Sequence, residues 1–309
     1  MRGSTMHKPV AALTAAALAL GVTACGGGGN KVTGKPGASK PPVTLGAKNF
    51  TEEFILGQLY TQALRAKGYK VTLKNNIGST EITYKALQSG KIDAYPEYTG
   101  EMLSTIGHKS TRPTSATQAY QQARQFMSSQ GFALTDQTPY FNRDELAVKP
   151  NYAQKNGLKQ VGDLKKLGPS VTYGAPPESR TRYQGLLGLR QAYGLTKLKF
   201  RPLAIGLQYQ ALDAGKIQTA DVFTTDGQLS RGKYVLLADP KNIFGFQNVA
   251  MIVSKKVLGR EGPDFAKTIN AVSAKLTIEA MQKMNAAVDI DKNSPAAVAK
   301  KFLEANGLL

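Results

Sequence analysis

From Val43 onward, short β-rich runs alternate with amphipathic stretches of helical period. Residues 43–47 read as a strand. Asn49, with Glu52 three positions later, forms a capping-box-like start to a helix. That helix carries Phe54, Ile55, Leu59, Ala63 and Leu64 on one face, and Arg65, Lys67 and Gly68 close it. A strand over 69–73 follows, then a helix opened by Gly78-Ser79-Thr80 and ended near Gly90, then a strand beginning at 92–95. This is βαβαβ order.

The order recurs further on: a strand at 171–175, a helix through Leu186, Leu189 and Tyr193 stopped by Gly194, a strand at 198–203, a helix from Gly206 and a strand at 220–223. Letters repeat too. Ala86-Leu87-Gln88-Ser89-Gly90-Lys91-Ile92 aligns with Ala211-Leu212-Asp213-Ala214-Gly215-Lys216-Ile217 at an offset of 211 − 86 = 125, and the opening strands are offset by 171 − 43 = 128. A seven-residue match can arise by chance; the shared element order argues for two related α/β lobes. Open α/β sheets bind ligands beyond the carboxyl ends of their strands, so two facing lobes predict a cleft. The tail from Pro263 on is helical, with Phe265, Ile269, Val272 and Leu276 at helical spacing and a last helix between Ser294-Pro295 and Gly307. It is expected to pack on the first lobe.

The start of the chain has another pattern. Lys8 precedes a 14-residue apolar and small run over 10–23, shorter than the ~20 residues a membrane span needs. Residues 1–24 read as a signal peptide. The run ends in Val22-Thr23-Ala24-Cys25, which resembles the lipobox of bacterial lipoproteins and implies a lipid on Cys25, anchoring the protein to the outer face of the cell membrane. The segment 25–42, rich in Gly, Lys, Ser and Pro, reads as a flexible tether.

Composition excludes more than it selects. The 309 residues carry 40 Lys and Arg against 21 Asp and Glu, a formal charge of +19, yet no block of five or six like charges appears. No nucleic-acid partner is expected; the charge suits an anionic membrane face or serves solubility. One Cys and two His leave no disulfide framework and no metal cluster. Gly-x-Ser-x-Gly, His-Glu-x-x-His and Walker patterns are missing, and His108 reads as part of a surface loop, so neither an enzyme nor a cofactor is expected. Asp93, Glu97 and Glu101 suggest glycosidase carboxylates only until Asp93 and Glu97 are read as shaping a strand and turn.

Gly46-Ala47-Lys48-Asn49-Phe50-Thr51-Glu52-Glu53, with Gly90-Lys91-Ile92-Asp93-Ala94-Tyr95-Pro96-Glu97-Tyr98-Thr99-Gly100, resembles the osmoprotectant-binding proteins of ABC importers, receptors for glycine betaine, proline betaine, carnitine and choline. Gly174-Ala175-Pro176-Pro177-Glu178 leading to Arg182, Val222-Phe223-Thr224-Thr225-Asp226-Gly227, and residues 244–250 add to the match. The resemblance implies a two-lobed, hinge-closing periplasmic-binding-protein-like (type II) α/β fold: lobe I from 43–143 with 247–309, lobe II from 144–246, and hinges near 143–147 and 245–250. It implies a monomer that delivers a small solute to a separate permease with its ATPase subunits.

In that family aromatic rings cage a trimethylammonium group and basic side chains take a carboxylate. The resemblance makes Tyr98 and Phe223 cage walls, with Thr224 beside Phe223, and Lys48 and Arg182 carboxylate anchors. Without it, solvated cations and ordinary interlobe packing are the better description of the four. Three positions depart from the pattern: Glu101 replaces a Thr, and Asp144 and Gln247 replace cage Tyr residues. The two acids would pair with a cationic ligand, or would neutralise Lys48 and Arg182 in the empty cleft. A choline-like, a polyhydroxylated or a differently bound betaine ligand all remain open, as does a surface adhesion or signalling role for the same fold.

Overall fold

The computed structural model of the protein describes residues 34–109 and 112–309; the leader and Cys25 lie outside the described residues. Two five-stranded sheets organise the compact unit Lys35–Leu309. The first sheet contains β1 (Val43–Gly46), β2 (Val71–Lys74), β3 (Ala94–Tyr98), β4 (Phe132–Leu134) and the late strand β10 (Val249–Ser254). The second contains β5 (Asp144–Val148), β6 (Thr172–Ala175), β7 (Lys199–Pro202), β8 (Thr219–Phe223) and β9 (Val235–Leu237).

Their strand orders are β2-β1-β3-β10-β4 and β7-β6-β8-β5-β9. The orders correspond position by position. In each, three strands run parallel, and the strand that carries the chain across from the other lobe (β10 or β5) pairs antiparallel beside the third. A packing device is shared as well: a Cβ on Gly46 would meet Ile92 at 2.6 Å, and one on Gly174 would meet Ile217 at 2.5 Å. Each strand end needs glycine because the isoleucine after the second helix packs directly on its backbone.

Helix α1 (Thr51–Ala66) buries Ile55, Leu56, Leu59 and Leu64, each contributing about 1.5–3 kcal/mol. They meet β1, β10 and the C-terminal helices Pro263–Ser273, Ile278–Asp289 and Pro295–Ala305 in one core, so the tail packs on the first lobe as expected. The other face of the first sheet carries a core built on Tyr84, Leu87, Ile92 and Met127, and the second sheet is likewise covered on both faces. Among the described residues no helix is long and apolar enough to cross a membrane.

Two expectations change. The capping box does not form: Phe50 is the N-cap of α1, with no side-chain cap, and Glu52 turns inward. The expected tether does not stay free up to Pro42. Gly37 N–H donates to Lys67 O at 2.9 Å, Lys40 Nζ to Arg260 O at 2.9 Å, and Arg260 to Pro42 O at 3.2 Å, so its last residues lie against the first lobe.

Candidate functional site

The carboxyl ends of β1 and β3 face those of β6 and β8 across a void of about 530 Å³, part of it open to solvent. Lys48, Tyr98, Glu101, Asp144, Arg182, Phe223 and Gln247 all line it, seven side chains drawn from both lobes. Thr224 does not line it. Its Oγ1 instead accepts from Arg143 N–H at 3.2 Å and donates to Phe141 O at 3.2 Å, fastening the crossover. The crossovers also hold each other: Phe141 bridges Asn248, and Asn142 N–H donates to Gln247 O at 3.0 Å.

Phe50, missed in sequence, forms the middle of an aromatic stack. Its ring lies 6.3 Å from Tyr98 and 6.1 Å from Phe223, at interplanar angles of 24° and 13°. The signal was there: Phe50 stands inside the Gly46–Glu53 block, and the outer rings share the internal repeat, since 223 − 98 = 125.

Both expected carboxylate anchors already have acids. Lys48 is 3% exposed; its ammonium pairs with Glu97, stands 4.0 Å from Glu53 and lies 4.3 Å from the Tyr98 ring centroid. Burial works to lower its pKa, but Glu97 and Glu53 outweigh it and carry the group above its ordinary value. Glu53 is pushed up to about 8, chiefly by its own burial. Arg182 reaches from the second lobe to the helix α2 (Thr80–Gln88), where Nη2 donates to Glu81 at 2.9 Å and Nε at 3.3 Å, and its Nη1 lies 3.5 Å from Glu101. Although burial opposes it, the Arg182 contact holds the Glu81 carboxyl down at about 2.

Glu101 also accepts from Gln184 of the second lobe, and its N–H donates to Gln247 Oε1 at 3.1 Å. Asp144 sits on the opposite wall, pushed up to about 7 by burial and by the charge of Glu101, against the pull of Arg182. Glu178 completes the acids on the lining. Thus the two cations of the cavity are spoken for, while acids and ring faces remain. Among the described residues no group of three His, Cys, Asp or Glu is arranged to hold a metal ion.

Comparison with known proteins agrees with this geometry. Residues 41–305 match the family described as the substrate binding domain of ABC-type glycine betaine transport system. A glycine-betaine-binding protein of Pseudomonas aeruginosa is 33% identical over 283 residues, covering 88% of this chain and 90% of that protein. The carnitine transport binding protein OpuCC of Listeria monocytogenes is 28% identical, covering 88% and 89%. Among solved structures, one described as a glycine betaine/carnitine/choline ABC transporter superposes with a TM-score of 0.69 at 26% identity, covering 86% of this chain and 99% of that one.

Proposed function

The chain belongs to the family of substrate-binding domains of ABC-type glycine betaine transport systems, and we propose that it captures a small quaternary ammonium solute without a carboxylate, of the choline type, between its lobes and delivers it to a separate permease. The observation that carries the ligand class is the charge balance of the cavity. Lys48 is engaged by Glu97 with Glu53 beside it, and Arg182 by Glu81 and Glu101, whereas among the described residues Asp144 and Glu178 on the second lobe have no basic partner within ion-pair distance. A desolvated cation against the Phe50 and Phe223 rings gains about 2 kcal/mol or more, and a facing carboxylate adds to that. A zwitterion brings an anionic end that must displace Glu101 or Glu81 from Arg182 before it finds a donor.

Calorimetry and thermal shift with choline and glycine betaine test the proposal. Choline should bind more tightly by about tenfold and raise the melting temperature more at equal concentration. Tighter binding of betaine would return Lys48 and Arg182 to the carboxylate role and sink the choline-type reading. We also propose that residues 1–24 export the chain and that lipid on Cys25 holds it at the membrane; Cys25→Ala should release the protein into the soluble fraction.

A further inference from the structure

Glu52 is 2% exposed and absent from the cavity lining, yet its carboxylate collects five hydrogen bonds. Oε1 accepts from Tyr98 Oη at 2.8 Å, Tyr140 Oη at 3.1 Å and Asn142 Nδ2 at 3.2 Å. Oε2 accepts from Thr225 Oγ1 at 2.5 Å and from Asn285 Nδ2 at 3.2 Å. None of the five donors is charged, and each oxygen faces donors only. The donors come from four separate stretches of chain: the end of β3, the first crossover, the turn after β8 in the second lobe, and the C-terminal helix Ile278–Asp289. Two of them, Tyr98 and Asn142, line the cavity, and Thr225 lies two residues beyond Phe223.

We propose that Glu52 is the positioning residue of the solute site: without touching solute it orients the Tyr98 ring and pins the second lobe to the first beside the crossovers. An amide cannot replace it fully. Glutamine keeps one acceptor oxygen but turns an N–H₂ toward a cluster of donors, so either the Tyr98 side or the Thr225 side must rearrange. A neutral anchor for α1 alone would not need to gather donors from both lobes. The effect on solute rests on the cavity being the solute site; the pinning of the lobes does not.

Two arms test this. In the first, choline affinity is measured for Glu52→Gln, Tyr98→Phe and the double variant, with Tyr140→Phe as a control that removes a donor from the same oxygen but from no cavity wall. Each of the first two should lose about tenfold in affinity, the double variant little more than either alone, and Tyr140→Phe should lower the melting temperature with affinity kept within about twofold. Additive losses, or Glu52→Gln binding like wild type, overturn the positioning role. In the second arm, small-angle scattering on the ligand-free protein should show a larger radius of gyration for Glu52→Gln and for Thr225→Val than for wild type; unchanged radii overturn the pin. A wild type that binds no ammonium solute defeats the solute reading alone, because the scattering arm still decides the pin. If Glu52→Gln fails to fold, Tyr98→Phe and Thr225→Val carry the two arms.

Discussion

The two lobes share a strand order and end their equivalent strands β3 and β8 in aromatic rings, but beside those rings they treat buried charge in opposite ways. In the first lobe Glu97 is fully buried and well supplied: it takes the Lys48 ammonium, Tyr98 N–H at 2.9 Å and Tyr95 Oη at 3.1 Å. In the second lobe Asp221, equally buried on β8, accepts from the Ser179 hydroxyl at 3.4 Å, and among the described residues its Oδ1 has no hydrogen-bond partner. Burial, with the charge of Asp144 adding to it, drives the Asp221 carboxyl well above its ordinary value. The same scaffold therefore presents a closed, internally neutralised wall on one side and, on the other, an acidic wall whose carboxyls burial pushes toward their neutral forms. At the register where β8 sets Asp144 beside Phe223, β3 sets Val249 beside Tyr98, so the fold itself does not demand the acid.

The sharpest way to break this comparison is to remove one acid from each wall. Glu97→Ala leaves the Lys48 ammonium in the core with Glu53, at 4.0 Å, as its remaining ion-pair acid among the described residues, and should cost about 3–5 kcal/mol of stability in urea unfolding. Asp221→Asn should change stability at neutral pH by less than about 1 kcal/mol, because the amide removes a charge that burial and Asp144 already disfavour. Equal losses from the two substitutions would mean that the walls are alike.

Sequence made the two lobes legible because the helix stops and strand spacings repeat, and because Gly46 and Gly174 answer the same packing need. It gave β3 only its beginning, since Pro96 argues against a central strand. In the structure β3 pairs with β1 only at Ala94, so the N–H that Pro96 lacks is not missed there. Seven of the eight expected site residues meet in the cavity; six lie at or within a few residues of a strand end, positions that the element order fixes, and Arg182 stands on the segment that follows β6. What stayed hidden was pairing. That Lys48 is met by Glu97, or Arg182 by Glu81, depends on side chains brought together across 49 and 101 positions. The Asn49–Glu52 spacing fits a local cap equally well, and only the surrounding donors decide that Glu52 turns inward.

A smaller effect sharpens the acidic side of the comparison. Asp144 holds its proton up to about 7 in the folded chain, against about 3.9 when unfolded. The folded state therefore binds the extra proton between those values, and stability falls as pH rises from about 4 through about 7. Asp144→Asn should flatten that part of the stability curve, matching wild type near pH 4 and exceeding it by up to about 4 kcal/mol at pH 8. Choline binding should run the other way, strengthening as Asp144 ionises, and the substitution should abolish that slope. Asp226 and Glu53, pushed up to about 7 and about 8, titrate nearby in both proteins, so the difference between the two curves is the measurement. A difference that is flat with pH would remove Asp144 from the binding wall.

The smallest expected effect concerns the link between the walls. Arg182 grips Glu81 across the cleft with two hydrogen bonds, but the Glu81 side chain is 43% exposed, so solvent screens the pair and its loss should cost no more than about 1 kcal/mol. Glu81→Gln should lower stability by that much at low salt and by less at high salt. The sign with pH is opposite to that of Asp144. A carboxyl held down at about 2 contributes fully above its unfolded value of about 4.3, and the contribution is lost as pH falls toward 2. Removing the Glu81 charge also leaves Glu101, at 3.5 Å, as the ion-pair partner of Arg182 among the described residues, and so frees part of its fork for a ligand carboxylate. Glycine betaine should then gain on choline by a few-fold, measured as the ratio of their affinities in the variant and in wild type. An unchanged ratio would mean that Glu101, and not the bridge to Glu81, is what keeps a carboxylate away from Arg182.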